Sequence, residues 1–512
     1  MKKSFILFSL RAAVLLTALL TICSATLFTA CTNDSFDNPV YPANLSDEID
    51  YFEDVPGNEG DPAVVAALQS IENVEDLKPF MNTKLGQAYY FNYKQLIDHN
   101  NPSLGTFKQQ VVLTFAGKDA HTILHTQGYS LAGAFGNNHN RLDSISAPHL
   151  LWALSEDYGA DNEFDLNCVQ VEYRYHGFSL PEGDKDSFKY LSAEQQSQDL
   201  HAIVTDLKKA LITGSGKWIS TGVSKNGMTS AQYAYYDEQN GWNDIDVYVP
   251  FVAPIPPQEW DIRIGEYMLT QSSKERLDDL KKAYKMLVDD KSVADATVAS
   301  YAKVYEDEND EQLPEDSAFI YTLVKVMNNL FGVQSYGDFA TWTEFIPDEN
   351  STPEAYAEFF MLNENDERIF RKMNNARGPL AIRQDPFQVQ IAIDQGNLAY
   401  DYTWYLDGKL LSDSDKLYFK NAMEESKNSK PIELEVLLLN NLKTTDKKLI
   451  FVYGEDDPWT GAAIPDPTNP NVKKYIVPHG THTDNFMQYA WYEGGTEVAK
   501  QILTDIIAIL NQ

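Results

Sequence analysis

Cysteine is scarce in this sequence of 512 residues, which contains only three, at positions 23, 31 and 168. Cys23 lies inside the apolar N-terminal run and Cys31 directly after it, so we expect Cys168 alone in the body of the mature chain. An intramolecular disulfide is then excluded unless Cys31 remains a free thiol. Cys168 lies in an apolar run and is interpreted as a buried strand residue. Cys-x-x-Cys pairs, internal repeats and low-complexity tracts are also absent, and we predict no metal and no cofactor.

Basic residues are few relative to acidic ones. The 41 Lys and Arg residues stand against 75 Asp and Glu residues, which gives a formal net charge of −34. This charge repels phosphate backbones and argues against nucleic acid as a partner, whereas it attracts a cationic ligand such as a free amino terminus. With 43% hydrophobic and 12% aromatic residues, the chain is globular and long enough for two or three domains, or for one domain with a large insertion.

The N-terminus has the pattern of an export signal. Basic residues at positions 2, 3 and 11 precede an apolar run from Ala12 to Ala30. The end of this run, Leu27-Phe28-Thr29-Ala30-Cys31, resembles a bacterial lipobox, in which the cysteine is acylated. We therefore predict a signal peptide at 1–30, a lipid anchor on Cys31, a polar tether at 31–50 and a location in the bacterial cell envelope. A plain signal peptide and a retained membrane anchor are the alternatives.

The stretch Lys217–Met228 predicts a strand, a sharp turn and a helix. Ser224 lies at the turn, where a nucleophile elbow holds its serine above the carboxyl edge of a sheet. The alternative is that Ser224 is an ordinary helix N-cap. Asn226 stands where the Gly-x-Ser-x-Gly pattern has its second glycine, which leads us to expect strain in the elbow.

Strands and helices alternate on both sides of this elbow. After a short helical lead-in, the predicted strands include Phe107–Phe115, Thr122–His125, Leu166–Val171 and Val247–Val252, which is typical of an α/β fold with a mostly parallel sheet. Residues 51–255 are expected to form its first part. Residues 256–430 show no such alternation and predict a large, mostly helical cap, and residues 431–512 complete the sheet.

Two later turns carry an acid and a base. Asp456 and Asp457 follow the predicted strand that ends at Tyr453, and His479 and His482 follow the strand that ends at Val477. The order serine, acid, histidine is that of an α/β-hydrolase triad, in which the histidine takes the serine proton and the acid orients the histidine. We prefer Asp457 and His482, whereas a turn-forming aspartate and a solvated histidine are the alternatives.

Two further loops follow predicted strands. Gly128 and Tyr129 come after Thr122–His125, where backbone amides face a ligand or where the chain makes an ordinary turn. Glu172 and Arg174 lie among aromatic residues, and we interpret them as a structural ion pair beneath a loop rather than a catalytic pair, although such a pair can still shape the site.

These residues together resemble a known family. The resemblance is to the secreted bacterial tripeptidyl aminopeptidases. It is carried by Trp218–Lys225 with Gly227–Thr229, Gln195 with Asp199, Glu172 with Arg174 and Gly177, and Gly454 with Asp457-Pro458-Trp459. These enzymes are serine peptidases related to the prolyl carboxypeptidase and dipeptidyl peptidase II group. Tyr173 stands where the related enzymes carry histidine.

The resemblance implies an α/β-hydrolase fold, catalytic Ser224, Asp457 and His482, and a helical cap between the serine and the acid. It also implies removal of tripeptides from free amino termini by acyl transfer. The amide of Lys225 and an amide of Gly128 or Tyr129 are expected to form the oxyanion hole.

A carboxylate of the cap, with Glu344 and Asp401 as candidates, is expected to bind the substrate ammonium. An esterase or lipase with the same triad is the first alternative. The second is a peptide- or glycan-binding lipoprotein whose catalytic site has decayed. The sequence gives no indication of the oligomeric state.

Overall fold

The computed structural model describes residues 57–126, 148–155, 165–181, 189–257, 274–309, 311–315, 346–361, 433–482 and 493–512, except residues 83 and 177, together with single positions between these ranges. The predicted signal peptide, the tether and Cys31 therefore lie outside the described residues. In the part of the chain that is described, no helix is both long enough and apolar enough to cross a membrane.

In the described part of the chain, nine strands form one sheet. In chain order they are β1 (Val74–Asn82), β2 (Gly86–Leu96), β3 (Thr106–Thr114), β4 (Thr122–Thr126), β5 (Asn167–Val171), β6 (Trp218–Val223), β7 (Val247–Phe251), β8 (Leu449–Gly454) and β9 (Val472–Val477). Their spatial order is β1-β2-β3-β5-β4-β6-β7-β8-β9. The first three strands and the β3–β5 pair are antiparallel, and all later pairs are parallel. This topology is the α/β-hydrolase fold that the sequence predicts.

The parallel strands inside the sheet are buried along their whole length, or nearly so, whereas only the two end residues of the edge strand β9 are buried. Every residue of β5, β7 and β8 is buried, because helices cover both faces of the sheet. The nine described α-helices are α1 (Pro62–Gln69), α2 (His149–Leu154), α3 (Ala193–Ala210), α4 (Lys225–Asn240), α5 (Lys274–Asp289), α6 (Lys291–Asn309), α7 (Pro353–Phe360), α8 (Glu433–Asn441) and α9 (Gly495–Leu510).

Two apolar clusters cover the two faces of the sheet. Leu200 and Ile203 of α3 lie in one cluster, and Ile502 and Ile506 of α9 lie in the other. Helix α3 begins at Ser192, whose hydroxyl accepts a hydrogen bond from the amide of Gln195 at 3.3 Å. The strands β1 and β2 were not predicted, although β2 carries the aromatic residues that favour strands.

The region predicted as a cap contributes helices α5, α6 and α7 among its described residues. These helices have a hydrophobic core of their own, which includes Tyr284, Leu287, Tyr301 and Phe359. The helical character agrees with the prediction. The boundaries at 256 and 430 stay a prediction, because residues 362–432 lie outside the described part of the chain.

Arg174 forms a buried ion pair, but its partner differs from the predicted one. Its guanidinium contacts both carboxylate oxygens of Asp199, at 2.8 and 2.6 Å, and both side chains are fully buried. His99 Nε2 also lies 2.7 Å from the Asp199 carboxylate. Glu172, which the sequence suggested as the partner, instead accepts hydrogen bonds from backbone amides of two loops. The physical reason is that Asp199 on α3 meets the guanidinium with both carboxylate oxygens at once.

We expect Asp199→Asn to lower the free energy of unfolding by about 3–5 kcal/mol, because it leaves the buried Arg174 guanidinium without its anion. Urea denaturation followed by circular dichroism measures this loss. Asp76→Asn is the matched control, because Asp76 pairs with Lys108 on the surface and such pairs contribute less than about 1 kcal/mol. Equal losses in the two variants would contradict a structural role for the buried pair.

Candidate active site

Ser224 connects the buried strand β6 to helix α4. Its backbone has φ +59° and ψ −123°, which is a strained conformation for a residue other than glycine. Its amide donates to the carbonyl oxygen of Phe251 on β7 at 2.9 Å, which fixes the turn against the sheet. The Ser224 side chain makes no capping hydrogen bond to α4, so the N-cap alternative is not supported. This conformation is that of a nucleophile elbow.

Two glycines on either side of the turn allow this elbow to form. A Cβ atom on Gly222 would lie 2.6 Å from Cβ of Asn226, and one on Gly227 would lie 2.5 Å from the carbonyl oxygen of Phe251. Asn226 itself lies within α4, and its carbonyl oxygen accepts a hydrogen bond from Thr126 Oγ1 at 2.8 Å. The strain expected from Asn226 is therefore not found there. The close approach that needs a glycine occurs at Gly222 and Gly227, and the strained residue is Ser224.

The structure brings Ser224, His482 and Asp457 into one hydrogen-bonded chain. His482 Nε2 lies 2.9 Å from Ser224 Oγ, and His482 Nδ1 lies 2.9 Å from Asp457 Oδ2. Asp457 is fully buried, and His482 is 7% exposed. The imidazole is thus oriented to accept the serine proton at Nε2 while Nδ1–H donates to the carboxylate. The catalytic role of the three residues stays a prediction.

The neighbouring candidates, Asp456 and His479, lie elsewhere. His479 Nδ1 is 3.5 Å from Asp456 Oδ2, and the two side chains are 59% and 42% exposed. Together with Glu455 they form a group whose ligand atoms lie within 4.8 Å of one another, and these three residues are the candidates for a metal ion among the described residues. The chemistry of the Ser224–His482–Asp457 chain needs no such ion, and the prediction of no metal stays a prediction.

The acid loop after β8 and the histidine loop after β9 touch along their backbones. The amide of Asp456 donates to the carbonyl oxygen of Gly480 at 2.9 Å. A Cβ atom on Gly454 would lie 2.3 Å from that same oxygen, so no larger residue fits without separating the loops. Tyr267, from the predicted cap, donates to the carbonyl oxygen of Glu455 at 2.8 Å. The positions of Asp457 and His482 thus depend on direct backbone contact.

We expect Gly454→Ala to slow the reaction of Ser224 with a fluorophosphonate probe by about 10²-fold, because a displacement of about 1 Å in an active site costs this much. The rate of labelling, followed by mass spectrometry, measures the effect. Gly117→Ala is the control, because nothing lies within 4 Å of the added carbon. A labelling rate of Gly454→Ala equal to that of the control would contradict the argument.

Lys225 follows the nucleophile and is the first residue of α4, where amide groups point out of the helix. Its side chain is buried, and its Nζ lies 3.6 Å from the centre of the Tyr173 ring. The Tyr173 ring thus lies against this ammonium group. The nearby His176 is buried, and burial, followed by the charge of Lys225, lowers its pKa to about 3.

Gly128 and Tyr129 of the expected oxyanion hole, and Glu344 and Asp401 of the expected ammonium site, lie outside the described residues. Cys168 is buried in β5, where burial raises the pKa of its thiol, in agreement with a structural residue.

Glu172 was named from the sequence as half of a charged pair that can shape the site. Its carboxylate contacts the loops after both β4 and β5.

Comparison with known proteins gives a family match, one relative that is similar over part of its length, and two solved structures of low similarity. The profile of the family described as PS-10 peptidase S37 matches residues 66–348, which is more than half of the chain and includes Ser224. The prolyl tri/tetrapeptidyl aminopeptidase of Streptomyces mobaraensis is 30% identical over 179 residues, which span 34% of this chain and 31% of that protein. The matched part is therefore about a third of this relative.

Two solved structures are similar only at a low level. Proline iminopeptidase from Mycobacterium smegmatis is 11% identical, with 78% of this chain and 96% of that chain covered and a TM-score of 0.34. A putative hydrolase from Legionella pneumophila is 13% identical, with 88% and 95% covered and a TM-score of 0.35. Scores of this size carry no argument about function.

Proposed function

Because the chain belongs to the S37 family of serine peptidases, we propose that it is an exopeptidase that releases short peptides from free amino termini. The observation that carries this proposal is the hydrogen-bonded chain from Ser224 through His482 to Asp457, with both contacts at 2.9 Å. The family match ends at residue 348, so Asp457 and His482 are assigned from this geometry and from their order in the sequence.

The proposed reaction has two halves. In the first, Ser224 Oγ attacks the scissile carbonyl while His482 Nε2 takes the serine proton, and His482 then gives this proton to the leaving amine. In the second, water attacks the acyl-enzyme with His482 again as the base, which releases the peptide and regenerates Ser224. Asp457 orients His482 and stabilises the imidazolium in both halves.

The oxyanion of each tetrahedral intermediate is proposed to accept hydrogen bonds from the amide of Lys225 and from an amide of Gly128 or Tyr129. Each such donor contributes a factor of about 10²–10³ in rate. The amino-terminal end of the substrate is proposed to enter beneath the helical cap, where Glu344 or Asp401 pairs with its ammonium group. The net charge of −34 supports a cationic ligand. The name of the Streptomyces relative adds peptides of three or four residues with proline at the cleaved position as the first substrates to test.

We expect the enzyme to cleave tripeptide and tetrapeptide anilides that end in proline and carry a free amine at least about 30-fold faster than their N-acetylated forms. The reason is that acetylation removes the charge that the acidic site binds, and buried charge pairs contribute about 2–5 kcal/mol. Values of kcat/KM from anilide release measure the ratio. Ser224→Ala is expected to lower kcat by about 10⁴–10⁶-fold.

Other outcomes of this assay would point to other functions. Equal turnover of free and blocked peptides would contradict an exopeptidase, and faster turnover of simple esters would favour an esterase. A protein that no fluorophosphonate labels would favour a binding lipoprotein with a decayed site. Strain at Asn226 would support such decay, but α4 accommodates this residue without a positive φ.

We also propose that the protein is exported and held at the bacterial membrane by lipid on Cys31. In Triton X-114 extracts of expressing cells, we expect the wild-type protein in the detergent phase. Cys31→Ser is expected in the aqueous phase if processed, or as the uncleaved precursor. Cys168→Ser is the matched control, because this thiol is buried in β5. Identical partitioning of wild-type protein and Cys31→Ser, with both cleaved at the same residue, would exclude the anchor.

A further inference from the structure

The acid loop, residues 455–463, carries Asp457 and is attached to the sheet near its beginning. The amide of Glu455 donates to a carbonyl oxygen of β9 at 2.9 Å. The hydroxyl of Thr460 donates to the carbonyl oxygen of Gly454 on β8 at 2.6 Å. These contacts join the loop to the strand that comes before it and to the strand that comes after it.

Tyr267 attaches the same loop to the region predicted as a cap. Its hydroxyl donates to the carbonyl oxygen of Glu455 at 2.8 Å, two residues before Asp457. Burial, followed by the carboxylates of Glu455, Asp457 and Asp456, raises the pKa of Tyr267. The hydroxyl therefore remains protonated at neutral pH and is available as a donor.

Arg263 makes a second attachment, four residues before Tyr267, and the backbone of both residues is helical. The Arg263 guanidinium donates to the carbonyl oxygen of Ala463 at 3.4 Å and to that of Ile255 at 3.3 Å. Ala463 is the last residue of the acid loop. The two side chains from the predicted cap therefore contact the loop on both sides of Asp457.

The carboxylate of Asp457 depends on the backbone that carries it. The side chain is fully buried and lies 2.9 Å from His482 Nδ1. The amide of Asp457 contacts the carbonyl oxygen of Gly454 at 3.4 Å, which is a long hydrogen bond. The distance between the carboxylate and the imidazole is therefore sensitive to the chain on either side of Asp457, where Tyr267 and Arg263 bind.

We propose that Tyr267 is a positioning residue, which together with Arg263 holds the acid loop so that Asp457 stays within hydrogen-bond distance of His482. This role rests on the proposed function, because the orientation of His482 matters only if Ser224 is a nucleophile. Tyr267 needs no contact with the substrate. The start of the predicted cap then helps to set the geometry of the triad, in addition to any restriction of access.

Tyr267→Phe removes the hydroxyl and keeps the ring. We expect the rate at which a fluorophosphonate labels Ser224, and kcat for a cleaved peptide, to fall about three- to tenfold, which is less than the roughly 10²-fold cost of a displacement of about 1 Å. KM is expected to change less than about twofold, because Tyr267 acts through the triad and makes no contact with the substrate.

Tyr301→Phe is the matched control for a lost tyrosine hydroxyl. Tyr301 lies in the core of the cap helices, and its hydroxyl donates to the carbonyl oxygen of Phe360 at 2.9 Å. This variant is expected to lose stability but to label at a rate within about twofold of wild type, because its hydrogen bond lies within the cap helices. If Tyr267→Phe labels as fast as Tyr301→Phe, Tyr267 has a structural role only and the proposal is wrong.

A double-mutant cycle tests whether Tyr267 acts through Asp457. Asp457→Ala leaves no carboxylate to position, and we expect it to label about 10⁴-fold more slowly than wild type, so its rate is measured with more probe and longer incubation. Adding Tyr267→Phe to this variant is expected to leave its labelling rate unchanged. The same fold-loss in both backgrounds would contradict the proposal.

Two further outcomes are separable. If Tyr267→Phe does not fold, Arg263→Gln decides the question: slower labelling supports the proposal, and a rate equal to wild type contradicts it. If wild-type protein is labelled but cleaves no peptide, the exopeptidase function fails, and the labelling comparison still decides the role of Tyr267.

Discussion

The imidazole of His482 is held between two hydrogen-bond partners, and the rest of the site depends on this arrangement. Its contacts to Ser224 and Asp457 are both 2.9 Å, although 258 residues separate the serine from the histidine. Residues so far apart in the sequence meet because β6, β8 and β9 are parallel and end at the same edge of the sheet. The described helices α5, α6 and α7 all lie in the chain between β7 and β8, so they lengthen this connection without changing the order of β6, β8 and β9 in the sheet.

Around this edge the sequence places carboxylates where water is excluded, and each is stabilised in a different way. Asp199 is paired with a guanidinium, Glu172 is surrounded by amides and a hydroxyl, and Asp457 accepts from an imidazole and from the amide of Trp459. A buried anion without such donors would be unstable. Each of these carboxylates therefore fixes the groups that donate hydrogen bonds to it.

Much of the fold could be predicted because its signals are local. Buried strands appear as short runs of β-branched and apolar residues, and the order of serine, acid and histidine in the chain is independent of packing. The partner of Arg174 could not be predicted, because several acids were available and only the packing of α3 against the β5 loop selects Asp199. That the elbow accepts asparagine at position 226 could not be predicted either. The residue that must be glycine is the next one, Gly227, because its Cα lies close to the backbone of Phe251. Strands β1 and β2 were missed although the aromatic residues of β2 were visible.

The positive φ of Ser224 has a consequence for how variants of this chain are judged. A residue other than glycine in this conformation costs about 1–3 kcal/mol, which the surrounding sheet must offset. A chain with glycine at position 224 would lose the nucleophile and gain folding stability in the same step. Selection for solubility, expression or thermal tolerance would then enrich inactive molecules, so only a screen that reads turnover preserves the enzyme.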